Sequence, residues 1–258
     1  MRRLLPALLL LAALAAPATT HAYTPGPYGC NLRWSQCFGD GGAINKSFAC
    51  DTNTGSDVLV GSFVPAWDHG DLTGIDFTMT LASAGSSLPA WWQFKNAGTC
   101  RPASLGMNFT NATGAVACRD WAPVGEAAGG IAAYQIGLKG ANSARILAAI
   151  AVPPSVRGSV SGLQEYFVFN LGINHAKTVG TGACAGCTTP VCIVLDRIRT
   201  YSSGPVENRT VMGPSNFTDS DYATWQGGAG VSTFLGSGCP AATPTKRETW
   251  SEVKSLYR

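Results

Sequence analysis

Alternation of apolar and polar residues sets the first reading of this chain. Ile75-Asp76-Phe77-Thr78-Met79-Thr80-Leu81 alternates without a fault, as a strand with one buried face does. Residues 57–64 are more uniformly apolar, which suits a central strand. Residues 164–174 place Phe167, Phe169, Leu171 and Ile173 on one face and Tyr166 and Val168 on the other. Residues 190–200, with Val191, Ile193, Val194, Leu195 and Ile198, read as another long strand. Two Ala-rich stretches, 130–139 and 145–152, are further candidates, and the second equally suits a short helix. Gly, Pro, Ser and Asn cluster at 84–89, 153–162 and 202–205, between the candidate strands. About ten strands joined by local turns predict an all-β fold. The expected architecture is an antiparallel β-sandwich of jelly-roll or immunoglobulin-like size, spanning 54–239.

The two ends differ from this middle. Arg2-Arg3 followed by a Leu/Ala run and Thr20-His21-Ala22 has the layout of a secretory signal peptide, predicting a leader over 1–22. The run is too short to span a bilayer, and no later stretch predicts a transmembrane segment. Residues 23–53 are rich in Gly, Asn and Cys and are expected to be irregular and packed on the domain. Residues 240–258 read as a linker and tail. There Thr245-Lys246-Arg247-Glu248 has capping-box spacing, and Trp250, Val253, Leu256 and Tyr257 share one helical face.

Charge then narrows the partners. Only 13% of the residues are charged and the formal net charge is +3, lower once Arg2 and Arg3 leave with the leader. With no basic run, attraction to phosphate is weak and nucleic-acid binding is not expected. The expected setting is secreted or extracellular, periplasmic and cell-surface locations included.

The nine cysteines, at 30, 37, 50, 100, 118, 184, 187, 192 and 239, read as disulfides in such a chain. Cys100 and Cys118 flank a plausible hairpin and are expected to bridge, contributing about 3 kcal/mol. The odd total leaves at least one cysteine outside an intramolecular bridge. His175, Cys184, Cys187 and Cys192 could together hold zinc, although oxidising surroundings favour a disulfide-stapled loop. Cys184 lacks the later histidine that a nucleophile elbow needs.

Other candidate chemistry is sparse. Asp51, Asn53 and Asp57 alternate oxygen side chains as a calcium loop does, so calcium is the one cofactor suggested; a polar turn explains the same residues. Trp91 and Trp92, read as strand residues, would put one indole on each face and offer a stacking platform for sugars. Glu126, Glu165, Asp76 and Asp196 are available as a carboxylate pair, with nothing to single out two of them. The expected function is a secreted structural, adhesive or ligand-binding module whose partner is an extracellular glycan or a cell-surface protein. The alternative is an extracellular hydrolase acting on polysaccharide. Catalysis is the less favoured of the two.

Overall fold

Strand periodicity resolves into two packed sheets. The structure is a computed structural model that describes residues 28–111, 117–204, 208–212, 220–228 and 239. The expected leader and tail lie outside these residues. The first half of the chain forms β1 (Gly29–Trp34), β2 (Asn45–Lys46), β3 (Ser56–Val64), β4 (His69–Ser83), a 3-10 turn at Ala90–Trp92, β5 (Leu105–Asn108) and β6 (Arg119–Asp120). The second half forms β7 (Ala128–Ile136), β8 (Ser143–Ala151), β9 (Gly158–Val160), β10 (Tyr166–Asn174), β11 (Val191–Ser202), β12 (Arg209–Met212) and β13 (Tyr222–Trp225).

The smaller sheet runs β1-β3-β10-β5, with β6 added beside β10. The larger runs β2-β13-β11-β4-β8-β7, with β12 beside β11 and β9 beside β4. Ile75, Phe77, Met79 and Leu81 of β4 enter the shared core together with Leu59 and Phe63 of β3 and Ile193 and Leu195 of β11. The chain is therefore an all-β protein of two packed sheets with four disulfides, the sandwich its periodicity predicts. Residues 145–152 fall in β8, where pairing along β4 from Ala82↔Ser143 to Gly74↔Ala151 decides strand over helix.

Three local expectations change. Phe167 does not share a face with Phe169, because β10 shifts register between them. The bulge turns Phe167 outward against Val60, while Tyr166, Val168, Phe169, Leu171 and Ile173 all reach the core. Residues 29–34 are a strand rather than irregular: β1 pairs with β3 from Gly29↔Val64 to Trp34↔Leu59. Its alternation buries Cys30, Leu32 and Trp34. β1 also bridges the two sheets, since Leu32 N donates to Ser220 O at 2.6 Å and Trp34 Nε1 donates to Thr224 O at 2.9 Å.

The third change is the disulfide set: Cys37–Cys118, Cys50–Cys187, Cys100–Cys184 and Cys192–Cys239. Cys100 and Cys118 are not partners, because the segment between them is no local hairpin. Its strand β5 pairs with β10 instead, and β6 follows Cys118 along the other end of β10. Each bridge thus joins elements far apart in sequence, where constraint of the unfolded chain is greatest.

Cys30 is the free cysteine, fully buried, with its thiol directed at Val211 O, 3.5 Å away. Burial pushes its pKa well up, which suppresses the reactive thiolate. Alkylating reagents are expected to leave the native protein unlabelled. After denaturation without reductant, peptide mapping should find the label at Cys30 alone. Label at any other cysteine would contradict the pairing described here.

Candidate functional site

The loop after β10 gathers most of the residues with chemical potential. Cys184 ties it to Cys100, and Cys187 ties it to Cys50. Within it Thr178 N donates to His175 O at 3.2 Å and Cys184 N to Lys177 O at 2.8 Å. The zinc reading of His175, Cys184, Cys187 and Cys192 gives way here, because all three sulfurs are spent in disulfides. Cys192 lies on β11, on the sheet face away from the core, and bonds Cys239. Cys37, Cys118 and Glu165 form a metal-type cluster among the described residues, but its two sulfurs are bonded to each other.

His175 stands at the start of this loop with both ring nitrogens engaged. Nδ1 lies 2.9 Å from Thr54 O, Nε2 lies 2.9 Å from Asp57 Oδ2, and the ring stacks on Phe48 at 3.9 Å. The other Asp57 oxygen takes the Lys46 ammonium at 2.6 Å. A histidine acting as general base needs a nitrogen aimed at its substrate. Both positions here are used by the protein itself, so the group works as a clamp between β2, β3 and the loop.

The same contacts displace the calcium reading of Asp51, Asn53 and Asp57. Asp57 already accepts from an ammonium and an imidazole. Asn53 Oδ1 accepts from the amides of Thr178 and Val179 at 2.7 and 3.0 Å, and its Nδ2 donates to Val179 O at 3.0 Å. Asp51 is exposed. A hard cation would have to strip these donors away before it met two of its three ligands. The alternating polar residues pin the loop instead.

Trp91 and Trp92 are also reassigned. They sit in the 3-10 turn rather than a strand, and both are fully buried. Trp91 stacks on Trp225 at 5.2 Å, and Trp92 meets the same ring edge-on at 5.5 Å. Trp91 Nε1 donates to Thr178 Oγ1 at 3.1 Å. No ring face is left for a sugar. The residue that organises this cluster, Arg101, carries no sequence signal of its own. Its guanidinium lies 3.6 Å over the Trp91 ring and donates to the carbonyls of Trp91, Ala176 and Asn174. Burial draws its pKa down to about 9, so the charge persists at neutral pH. A depression of about 290 Å³ beside it is lined by Pro102, Ser104, Ala176 and Lys177 among others.

Glu165 and Glu126 stand apart, while Asp76 and Asp196 both lie near Arg197. Glu165 is fully buried and accepts from Ser62 Oγ at 2.5 Å and from the amides of Gly39 and Phe38 at 2.8 and 3.1 Å. Burial raises its pKa, and these hydrogen bonds only partly offset that. Asp76 accepts from the Tyr201 hydroxyl and pairs with Arg197 at 3.4 Å, while Glu126 is exposed. Asp196 is buried and accepts from Thr80 Oγ1 at 2.7 Å; burial pushes its pKa up to about 6.

No family model, curated protein or solved structure matches the chain.

Two substitutions test that geometry. Asp57→Ala strands an ammonium and an imidazole in a mostly buried place, and is expected to lower unfolding free energy by about 3 kcal/mol in denaturant titration. A loss near zero would contradict the clamp. For Asp196 the folded-state pKa is raised from 3.8 to about 6. Its contribution to stability is therefore full below pH 3.8 and lost as pH rises through about 6. Asp196→Asn cannot ionise, so it should be more stable than the natural protein above that window, by about 3 kcal/mol, and no more stable below it. A difference independent of pH would rule out the buried carboxyl as its source.

Proposed function

We propose that this is a secreted structural or adhesive module that binds an extended segment of a cell-surface protein along the open edge of its larger sheet. The observation that carries this reading is strand β7. It ends the sheet order, paired on one side by β8. Its sequence, Ala-Gly-Gly-Ile-Ala-Ala-Tyr-Gln-Ile, holds no charge and no proline. Exposed edges are usually blunted by charges, proline or cover, because unpaired N–H and C=O groups template another strand. β7 carries one interruption, a bulge between Ile131 and Ala133, and beside it Asn96 Nδ2 donates to Tyr134 O at 3.1 Å and the Tyr134 hydroxyl donates to Trp92 O at 2.5 Å. Exposed Ile136, and Leu138 just beyond the strand, extend the apolar edge.

Four disulfides suit an oxidising, non-cytosolic setting, in keeping with the leader expected over 1–22. Among the described residues no helix is long and apolar enough to cross a membrane. The engagement of His175, Asp57 and Glu165 by their own neighbours favours binding over the polysaccharide-hydrolase alternative.

Selection from a displayed library of extended peptides tests the edge directly. Binders are expected, and Ala132→Lys with Ile136→Lys should weaken them about tenfold or more, about 1.4 kcal/mol, while leaving thermal stability intact. Absence of such binders, together with hits on a glycan array or cleavage of a polysaccharide that survives both substitutions, would reverse the preference.

A further inference from the structure

The depression beside Arg101 is bordered by positive charge with no acid to balance it. Arg101 and Lys177 are its charged lining residues, and no aspartate or glutamate lines it. The acceptors that Arg101 meets among the described residues are the carbonyls of Trp91, Asn174 and Ala176, not a carboxylate. Trp91 and Phe94 add ring faces, 3.6 and 5.3 Å from the guanidinium carbon. A guanidinium has more N–H bonds than these carbonyls take up. One N–H on each Nη is left without an acceptor among the described residues, in a side chain only 1% exposed. Buried donors ordinarily find a partner.

Lys177 stands on the rim of the same depression. Its backbone has φ 60°, a left-handed conformation uncommon outside glycine, and its side chain is exposed. Its ammonium donates to Cys100 O at 2.8 Å and has further N–H bonds to offer. The Cys100–Cys184 disulfide ties the loop that carries Lys177 to the residue before Arg101. Both cations are therefore held in place before anything binds, which lowers the ordering cost of binding. The walls at Pro102, Ala103 and Ala176 are apolar. At about 290 Å³ the space lies at the small end of ligand pockets.

We propose that this depression binds a small organic carboxylate, its oxygens on the Lys177 ammonium and the edge of the Arg101 guanidinium, its short carbon chain on Pro102, Ala103 and Ala176. Charge decides the sign of the ligand, because two cations without an acid in a partly desolvated place attract an anion. The walls decide its body. A bare inorganic anion would leave them wet, whereas a short alkyl chain covers them. This proposal is independent of strand addition at β7.

The test is a titration of the isotope-labelled, oxidised, full-length protein with butyrate, followed by two-dimensional NMR. Saturable shifts are expected at the Arg101 Nε–H and at the amides of Ser104 and Lys177. Butyramide, the uncharged isostere, should bind about tenfold more weakly or worse. The same loss is expected for butyrate with Lys177→Met, which removes the rim charge, and with Ala103→Phe, which fills the depression. Both changes fall on exposed residues, so thermal unfolding should stay as in the natural protein. Arg101 itself is left in place, because the surrounding turn and loop are built on it. Absent shifts, equal binding of butyramide and butyrate, or butyrate binding retained in either variant overturns the proposal. So does phosphate matching butyrate, which would show a general attraction to anions without a site for the carbon chain.

Discussion

The guanidinium of Arg101 is a buried charge held by carbonyl dipoles and an indole face in place of a carboxylate. Removing such a group from water costs several kcal/mol. Charge-assisted hydrogen bonds worth about 1.5–3 kcal/mol each, and a desolvated cation–π contact worth about 2, offset that only when all are made together. The 3-10 turn, the end of β10 and the loop after it therefore hold one arrangement. Trp91 is fixed against Trp225, and Asn174 O is fixed just before His175. The Cys100–Cys184 bridge begins one residue from Arg101 and ends in the same loop. The clamp of His175, Asp57 and Lys46 inherits its position from this centre.

How much of this was legible follows from the range of each interaction. Alternation is local, so β3, β4, β10 and β11 could be read from composition at successive positions. The outward turn of Phe167 could not, since a bulge depends on what β3 offers opposite. β1 was legible in principle: Cys30, Leu32 and Trp34 alternate with Asn31 and Arg33, but the surrounding Gly and Cys masked the pattern. The fate of Trp91 and Trp92 turned on a 3-10 turn that local composition does not distinguish from a short strand. Disulfide pairing was not legible, because every bridge joins segments at least 47 residues apart.

The candidate chemistry was legible as residue types and misleading as sites. Asp57 and His175, read as parts of two different metal sites, meet each other instead. Asn53, from the first set, caps Thr178 and Val179 in the loop of the second. The common reason is burial. An oxygen or nitrogen withdrawn from water must find a partner, and in a disulfide-pinned loop the nearest partners belong to the protein. Reactive residue types then mark where irregular segments are fastened to the sheets. Lys46, Phe48 and Arg101 complete the fastening and have no motif by which to be found.

The two sheets also explain where such a protein could meet a partner. The outer face of the smaller sheet is closed by the Cys37–Cys118 segment and Glu165. The central outer face of the larger sheet is equally buried, and Cys239 is bonded to Cys192 on it. β1 closes one flank by bonding across to Ser220 and Thr224. Faces and flank being taken up, the backbone of β7 is the long stretch of sheet among the described residues that remains open to pairing. That edge is uncharged and interrupted by one bulge and one side-chain contact, which is light protection for a strand of this length, and the proposed strand addition would give it a use.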